Sequence, residues 1–335
     1  MKIIIPMAGK GTRLRPHTLT VPKPLIPVAG KPIIQRLVED LAASYDGAIE
    51  EIAFIIGDFG PEVERELMHI AESLGARGKI YQQEKALGVG HAIYCAWESL
   101  NGPCMIAFAD TLFKADFAFD TAEDGMIWVQ KVKDPSGFGV VKLDPKGYII
   151  EFVEKPSTFV SDLAIVGIYY FREGEKLRSA LHHVITNEIK EKNEYQLTTA
   201  LEHLKNDGMR FRAGTIDEWL DCGNKDAILF SNERMLEFHR HSGLVSEKAS
   251  IENSVIIPPC FIGEHAVIRN AVVGPYVSVG NNSVVENTVI NNSIIQNKSQ
   301  IKNALLENSM VGNASKFTGS KDELNIGDYS NLSKR

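Results

Sequence analysis

The chain has 335 residues, enough for one large domain or two ordinary ones. Apolar residues make up 44% and charged residues 24%, a globular balance, and no apolar run approaches a membrane span. The net charge of −7 excludes a general nucleic-acid binder, because no basic face is implied for the chain as a whole.

Strand-like and helix-like segments alternate through the first half. Strands are expected at Ile3–Ile5, Ile52–Ile56, Lys79–Gln82 and Met105–Phe108, and helices at Ile33–Ala43, Pro61–Leu74 and Val89–Ser99. Pro32 and Pro61 stand where helices start, and Gly75 where one ends. This alternation predicts an α/β domain with a largely parallel sheet, which binds ligands beyond the carboxyl ends of its strands. Met126–Val132, Phe138–Leu143, Tyr148–Glu154 and Ile165–Phe171 then read as antiparallel strands, and Glu173–Thr186, Gln196–Asn206 and Lys225–His239 as helices.

Beyond residue 243 aliphatic residues recur every five or six positions: Ile256, Ile262, Ile268, Val273, Val279, Val284, Ile290, Ile295, Ile301, Leu306 and Val311. Helices repeat every 3.6 residues and strands every 2. A sustained hexad period fits a parallel β-helix better than the strands of a β-sandwich. Gly263, Gly274, Gly280 and Gly312 follow apolar residues, as corners require. From Lys316 the chain is polar and expected to fray.

Two local features carry chemistry. The run Ile3-Ile4-Ile5 feeds Pro6-Met7-Ala8-Gly9-Lys10-Gly11-Thr12-Arg13, a strand leading into a glycine-rich turn with cations. Such a turn aims bare N–H groups at anionic oxygens, and an arginine fork suits phosphate. Residues 1–38 hold seven Lys or Arg and no Asp or Glu, against the acidic trend of the whole. Leu14 breaks a Gly-x-Gly-x-x-Gly dinucleotide motif, and no Walker A loop is present. Cys95, Cys104, Cys222 and Cys260 form no Cys-x-x-Cys pair, so neither a zinc ribbon nor a disulfide framework is suggested. The apolar start is too short for a signal peptide, so Asn-x-Ser matches at Asn281, Asn291 and Asn297 carry no meaning for glycosylation. The expected compartment is cytoplasmic. The histidines, His182-His183 included, show no ligand spacing and read as structural or surface groups.

Together these residues resemble the sugar-1-phosphate nucleotidylyltransferases, or NDP-sugar pyrophosphorylases, and among them the glucose-1-phosphate thymidylyltransferase type. The motifs are Gly9-Lys10-Gly11-Thr12-Arg13-Leu14 with Pro22-Lys23-Pro24-Leu25, Gln82-Gln83-Glu84-Lys85-Ala86-Leu87-Gly88, and Ala109-Asp110. Further blocks are Gly137–Val141, Glu154-Lys155-Pro156, Val166–Tyr169, Glu194–Thr198 and Trp219-Leu220-Asp221-Cys222-Gly223. The resemblance implies a Rossmann-like nucleotidyltransferase domain with a mixed sheet over residues 1–240. A short left-handed parallel β-helix of hexapeptide repeats follows at 243–315, and a polar tail at 316–335.

It also implies a reaction: an NTP and a sugar 1-phosphate give an NDP-sugar and pyrophosphate, with dTTP and glucose 1-phosphate the favoured pair. Catalytic roles fall on Arg13 and Lys23. Ala8, Gly9, Gly11, Thr12, Gln83 and Gly88 bind the nucleotide, and Gly139, Glu154, Lys155 and Gly167 the sugar phosphate. Asp110 and Asp221 hold Mg²⁺; nothing in their spacing pairs them, and only the resemblance does. The physics agrees with such a set, because two polyanions must be neutralised before they meet and an ionised phosphate needs no general base. Thr199, Cys222 and Thr111 depart from the usual Asp, Thr and Asn of the family, which leaves the sugar open. The expected partners are the two substrates and a second copy of the chain in a homo-oligomer, with no nucleic acid and no membrane.

Three readings remain. The first is the enzyme, with UTP- or GTP-dependent synthesis from glucose or mannose 1-phosphate as its variants. The second is a non-catalytic nucleotide-sugar-binding regulatory protein. The third adds acyl transfer on the coil, against which stand its shortness and its single histidine, His265.

Overall fold

The computed structural model describes residues 1–114, 120–320 and 326. The chain divides into two units. One comprises Met1–Ile26 and Lys31–Ala227; the other gathers Pro27–Gly30 with the chain from Ile228 onward.

The first unit is built on one mixed sheet of nine strands among the described residues. The strands are β1 (Lys2–Pro6), β2 (Glu51–Ile56), β3 (Arg77–Gln82), β4 (Cys104–Ala107), β5 (Gly125–Lys131), β6 (Gly139–Leu143), β7 (Ile149–Glu154), β8 (Leu163–Phe171) and β9 (Phe211–Thr215). Seven lie in the order β7-β6-β8-β4-β1-β2-β3, and β5 pairs with β8 and β9. Strands β4, β1, β2 and β3 are parallel, and β8 runs antiparallel to β4. Ile3, Ile4 and Ile5 are fully buried in the middle of this order. A strand covered on both faces calls for such an unbroken apolar run.

The helices follow their apolar period. Ile33–Ala43 buries Ile33, Ile34, Leu37, Val38 and Leu41, one stripe of a 3.6-residue repeat. Pro61–Ser73 opens on proline. The helix expected over Val89–Ser99 stops at Cys95, where Ala96 and Trp97 bond three residues back and tighten the last turn. No helix among the described residues is long and apolar enough to cross a membrane.

Two short strands missing from the sequence reading, Thr111–Lys114 and Glu218–Asp221, form an antiparallel ribbon of their own. Short strands of ordinary composition leave little periodic signal. They nonetheless position the site described below.

The second unit is a left-handed parallel β-helix. Its strands stack into three parallel sheets, starting from Ser250–Glu252, Val255–Ile256 and Cys260–Ile262. Ile268, Val285 and Ile301 fill the interior of the first sheet, and Val273 and Ile290 that of the second. Along the first sheet Ile251 lies beside Ile268, then Val285, Ile301 and Phe317. Its coils are therefore 17, 17, 16 and 16 residues long, short of three full hexads.

Corners in the left-handed region are made chiefly by asparagine. Asn253, Asn270, Asn287 and Asn303 all have φ near +50°. Asparagine tolerates that region better than other side chains. The four also hydrogen-bond in a column, each Nδ2 to the next Oδ1. At Gly263 and Gly280 the need for glycine is close approach, because a Cβ would meet Asn281 Oδ1 and Asn297 Oδ1 at 2.3 and 2.5 Å.

The first unit ends at Ala227, inside the helix Lys225–Phe238. The remainder of that helix is bonded to the coil. Asn232 Nδ2 donates to the Tyr276 carbonyl at 3.1 Å, and Tyr276 Oη to Glu237 at 2.9 Å. At the far end, Lys316–Thr318 adds one more rung instead of opening a tail. Most of the expected tail lies outside the described residues.

Candidate active site

A cleft of about 650 Å³ opens in the first unit beyond the carboxyl ends of β1 and β4. Of the residues singled out from the sequence, Gly9, Gly11, Thr12, Arg13, Lys23, Asp110, Gly139, Glu154, Lys155 and Asp221 line it. Ala8, Gln83, Gly88 and Gly167 do not.

The anion-binding side is shaped by the turn after β1. Gly11 takes φ +57°, and its carbonyl accepts from Thr18 Oγ1 at 2.8 Å and from the Leu14 N–H at 3.0 Å. These bonds fold Thr12–Leu14 into a single 3₁₀ turn and carry Arg13 to the cleft. A second turn, Lys23–Leu25, is braced by Pro22 and Pro24. Lys23 Nζ forms an ion pair with Asp110 Oδ2.

The two aspartates meet through the backbone. Asp221 pairs with Thr111 in the short ribbon, and the Cys222 N–H donates to the Asp110 carbonyl at 3.0 Å. Thr111 Oγ1 donates to the Val166 carbonyl at 3.0 Å and ties the ribbon to β8. Desolvation raises the Asp221 pKa, and the Asp110 charge raises it further, against the opposing pull of Lys23 and Arg13. Two carboxylates that repel across a cleft suit a hard divalent cation, which takes a few carboxylates and fills its remaining positions with phosphate oxygens and water. The donor set fits such a metal.

On the opposite side Thr198 Oγ1 donates to Glu154 Oε2 at 3.1 Å, and Glu154 Oε1 lies 3.4 Å from Lys155 Nζ. Lys155 holds φ +43°, strained for a side chain of its size. Its N–H donates to the Phe138 carbonyl at 3.0 Å, and its carbonyl accepts from Lys192 Nζ at 3.0 Å.

Gln83 and Gly88 belong to one turn at the same carboxyl edge, after β3. Gln83 Nε2 donates to the Gly88 carbonyl at 3.1 Å. Gly88 has φ +106°, and a Cβ there would meet the Tyr195 carbonyl oxygen at 2.6 Å. Gly167 lies behind the cleft, where its carbonyl accepts from the Phe108 N–H at 2.9 Å.

Sequence reasoning gave no role to Phe138, Trp219, Tyr169 or Thr198, which also line the cleft. Phe138 and Trp219 pack edge-on with ring centres 4.9 Å apart. Trp219 Nε1 is buried without a hydrogen-bond partner among the described residues. The available signal was their position inside the quoted blocks, with Phe138 next to Gly139 and Trp219 two residues before Asp221.

Comparison with known proteins places the chain in a family. The nucleotidyl transferase family matches residues 2–237, and the GlmU-like C-terminal hexapeptide family residues 241–305. The glucose-1-phosphate thymidylyltransferase of Streptomyces antibioticus is 32% identical over 78% of this chain and 78% of its own length. The bifunctional protein GlmU of Methanococcus maripaludis is 32% identical over 77% of this chain but only 60% of its own. The nucleoside-diphosphate-sugar pyrophosphorylase of Vibrio cholerae superposes with a TM-score of 0.60 over 69% of this chain and 99% of its own. At 21% identity that likeness speaks for the fold alone. A match across most of the chain, and a relative aligned over three quarters of both partners, show that this chain belongs to the nucleotidyl transferase family, as an enzyme of the sugar-1-phosphate nucleotidyltransferase type.

Proposed function

We propose that the enzyme joins dTTP to glucose 1-phosphate, forming dTDP-glucose and pyrophosphate. The observation that carries this reading is the meeting of Arg13, Lys23, Asp110 and Asp221 with Glu154 and Lys155 in one cleft. The choice of base and sugar draws support from the Streptomyces relative.

Arg13, with the N–H groups of the Gly9–Thr12 turn, holds the triphosphate, while Lys155 holds the sugar phosphate. Lys23 faces the α-phosphate and stabilises charge as it moves onto the departing pyrophosphate. The attacking phosphate is already ionised, so no side chain need remove a proton. Glu154, fixed by Thr198, accepts from sugar hydroxyls. Gln83 and the Gly88 backbone read the base. Enzymes of this family generally use a divalent metal. Mg²⁺ held by Asp110 and Asp221 would screen the two polyanions from each other and withdraw charge from the α-phosphate. The coil serves structure and self-association.

The test is a matrix of five NTPs against several sugar 1-phosphates, with products identified by mass. dTDP-glucose as the preferred product supports the reading. Preference for UTP or GTP replaces it with the corresponding relative reaction, and no pyrophosphate release with any pair overturns it.

A further inference from the structure

Beside the turn that carries Gln83, on the helix Val89–Cys95, stands a group with no part in the chemistry above. Gln83 Nε2 donates to the Gly88 carbonyl at 3.1 Å and lies 3.1 Å from His91 Nδ1. A carbonyl oxygen can only accept, so the amide nitrogen must face Gly88. That nitrogen can only donate, so His91 Nδ1 must be the bare ring nitrogen, with the ring proton on Nε2. Burial lowers the His91 pKa, which keeps the ring neutral. Cys95 Sγ stands 3.8 Å from the same Nδ1.

The backbone around His91 is held firmly. The Gly90 N–H donates to the Tyr195 carbonyl at 2.8 Å, and the Tyr195 N–H to the Leu87 carbonyl at 2.9 Å. The His91 and Tyr195 rings lie near-parallel, 26° apart, with centres 6.5 Å apart. Both hydrogens of the Gln83 amide nitrogen are thus directed to protein acceptors. Its Oε1 accepts from no group among the described residues.

We propose that His91 sets base selectivity as a positioning residue: by accepting from Gln83 Nε2 it turns Gln83 Oε1 outward, so that the site takes bases bearing a ring N–H. Thymine, uracil and guanine offer that donor, whereas cytosine and adenine present a bare ring nitrogen, which would face the amide oxygen lone pair to lone pair. The proposal rests on the reading that Gln83 meets the base.

The experiment compares kcat/KM for dTTP and dCTP in the wild type and in His91→Leu, His91→Asn and Gln83→Ala. His91→Leu removes one of the two acceptors and leaves the amide orientation held by the Gly88 carbonyl alone. The dTTP:dCTP ratio should fall roughly five- to tenfold, the worth of about one hydrogen bond. His91→Asn offers Oδ1 as an acceptor and should keep most of the ratio, an outcome that a purely structural role for His91 would not produce. If Gln83→Ala collapses the ratio while His91→Leu keeps it, the base reading stands and the role of His91 is wrong. A ratio unchanged in Gln83→Ala, or near one in the wild type, overturns the base reading and the inference with it. Equal loss in His91→Leu and His91→Asn overturns the inference alone.

Discussion

Asp110 and Asp221 are joined by main-chain bonds, through the Cys222 N–H on the Asp110 carbonyl and the pairing of Asp221 with Thr111. The bonds that join them use main-chain atoms, so the ribbon itself does not depend on either carboxylate. The two carboxylates are near enough for the charge of Asp110 to raise the Asp221 pKa.

Asp110→Asn should spare the fold, because the ribbon uses the Asp110 carbonyl and not its side chain. Turnover should fall by at least ~10², as for other losses of transition-state charge stabilisation. The Asp221 carboxyl should then titrate at lower pH than in the wild type, since one of the two causes of its upward shift is gone. Carboxyl ¹³C shifts followed against pH, with kcat in saturating Mg²⁺, read both effects. Near-normal kcat would remove Asp110 from the metal site.

Lys23→Ala should cut kcat by ~10²–10³, the effect of losing one transition-state donor. Steady-state kinetics separates the alternatives. A rise in KM at constant kcat would make Lys23 a residue that binds ground and transition states equally.

Gly88→Ala should damage the base-binding turn through the backbone. The φ of +106° is nearly closed to alanine, and the new methyl would press on the Tyr195 carbonyl. A stability cost of ~1–3 kcal/mol follows from the strain. Thermal unfolding measures it, and the KM for the nucleotide should rise more than the KM for the sugar phosphate.

Asp40 should give stability a pH dependence of unusual sign. Burial raises its pKa from 3.8 to about 6, outweighing the nearby Arg36 charge, and its Oδ2 has no hydrogen-bond partner among the described residues. Between those pH values the folded chain holds a proton that the unfolded chain has released. This contribution is therefore present below the lower value and lost as pH rises to the upper, by about 3 kcal/mol. Urea unfolding at pH 4 to 7, in the wild type and Asp40→Asn, isolates it. Equal pH slopes in the two proteins would refute it.

Much of this architecture was legible in the residues. Ile3-Ile4-Ile5 announced a doubly covered strand, Pro61 and Gly75 bounded a helix, and the five- to six-residue spacing from Ile256 onward announced a coil. The cations at Arg13 and Lys23 were visible because they break the acidic trend of the chain. What stayed hidden was set by tertiary pairing. Thr111–Lys114 and Glu218–Asp221 are too short to show a period, so their ribbon, and with it the meeting of the two aspartates, left no local trace. The asparagine corners were missed for a related reason: corners were read only from Gly263, Gly274, Gly280 and Gly312, yet asparagine fills most of the left-handed positions of the coil, four of them bonding in a column. The left-handed φ of Lys155 is likewise imposed from outside, by its bonds to Phe138 and Lys192.

The unequal coils have a consequence for how this unit of the molecule can change length. Each rung rests only on its neighbours, so whole turns can be gained or lost like links in a chain. The step from 17 to 16 residues, seen between Val285 and Ile301, shows that the pitch tolerates the loss of one residue at a corner. An insertion inside a rung has no such outlet, because it would turn every later side chain in that strand from interior to solvent. Natural variation in this unit should therefore accumulate at corners or arrive as complete turns.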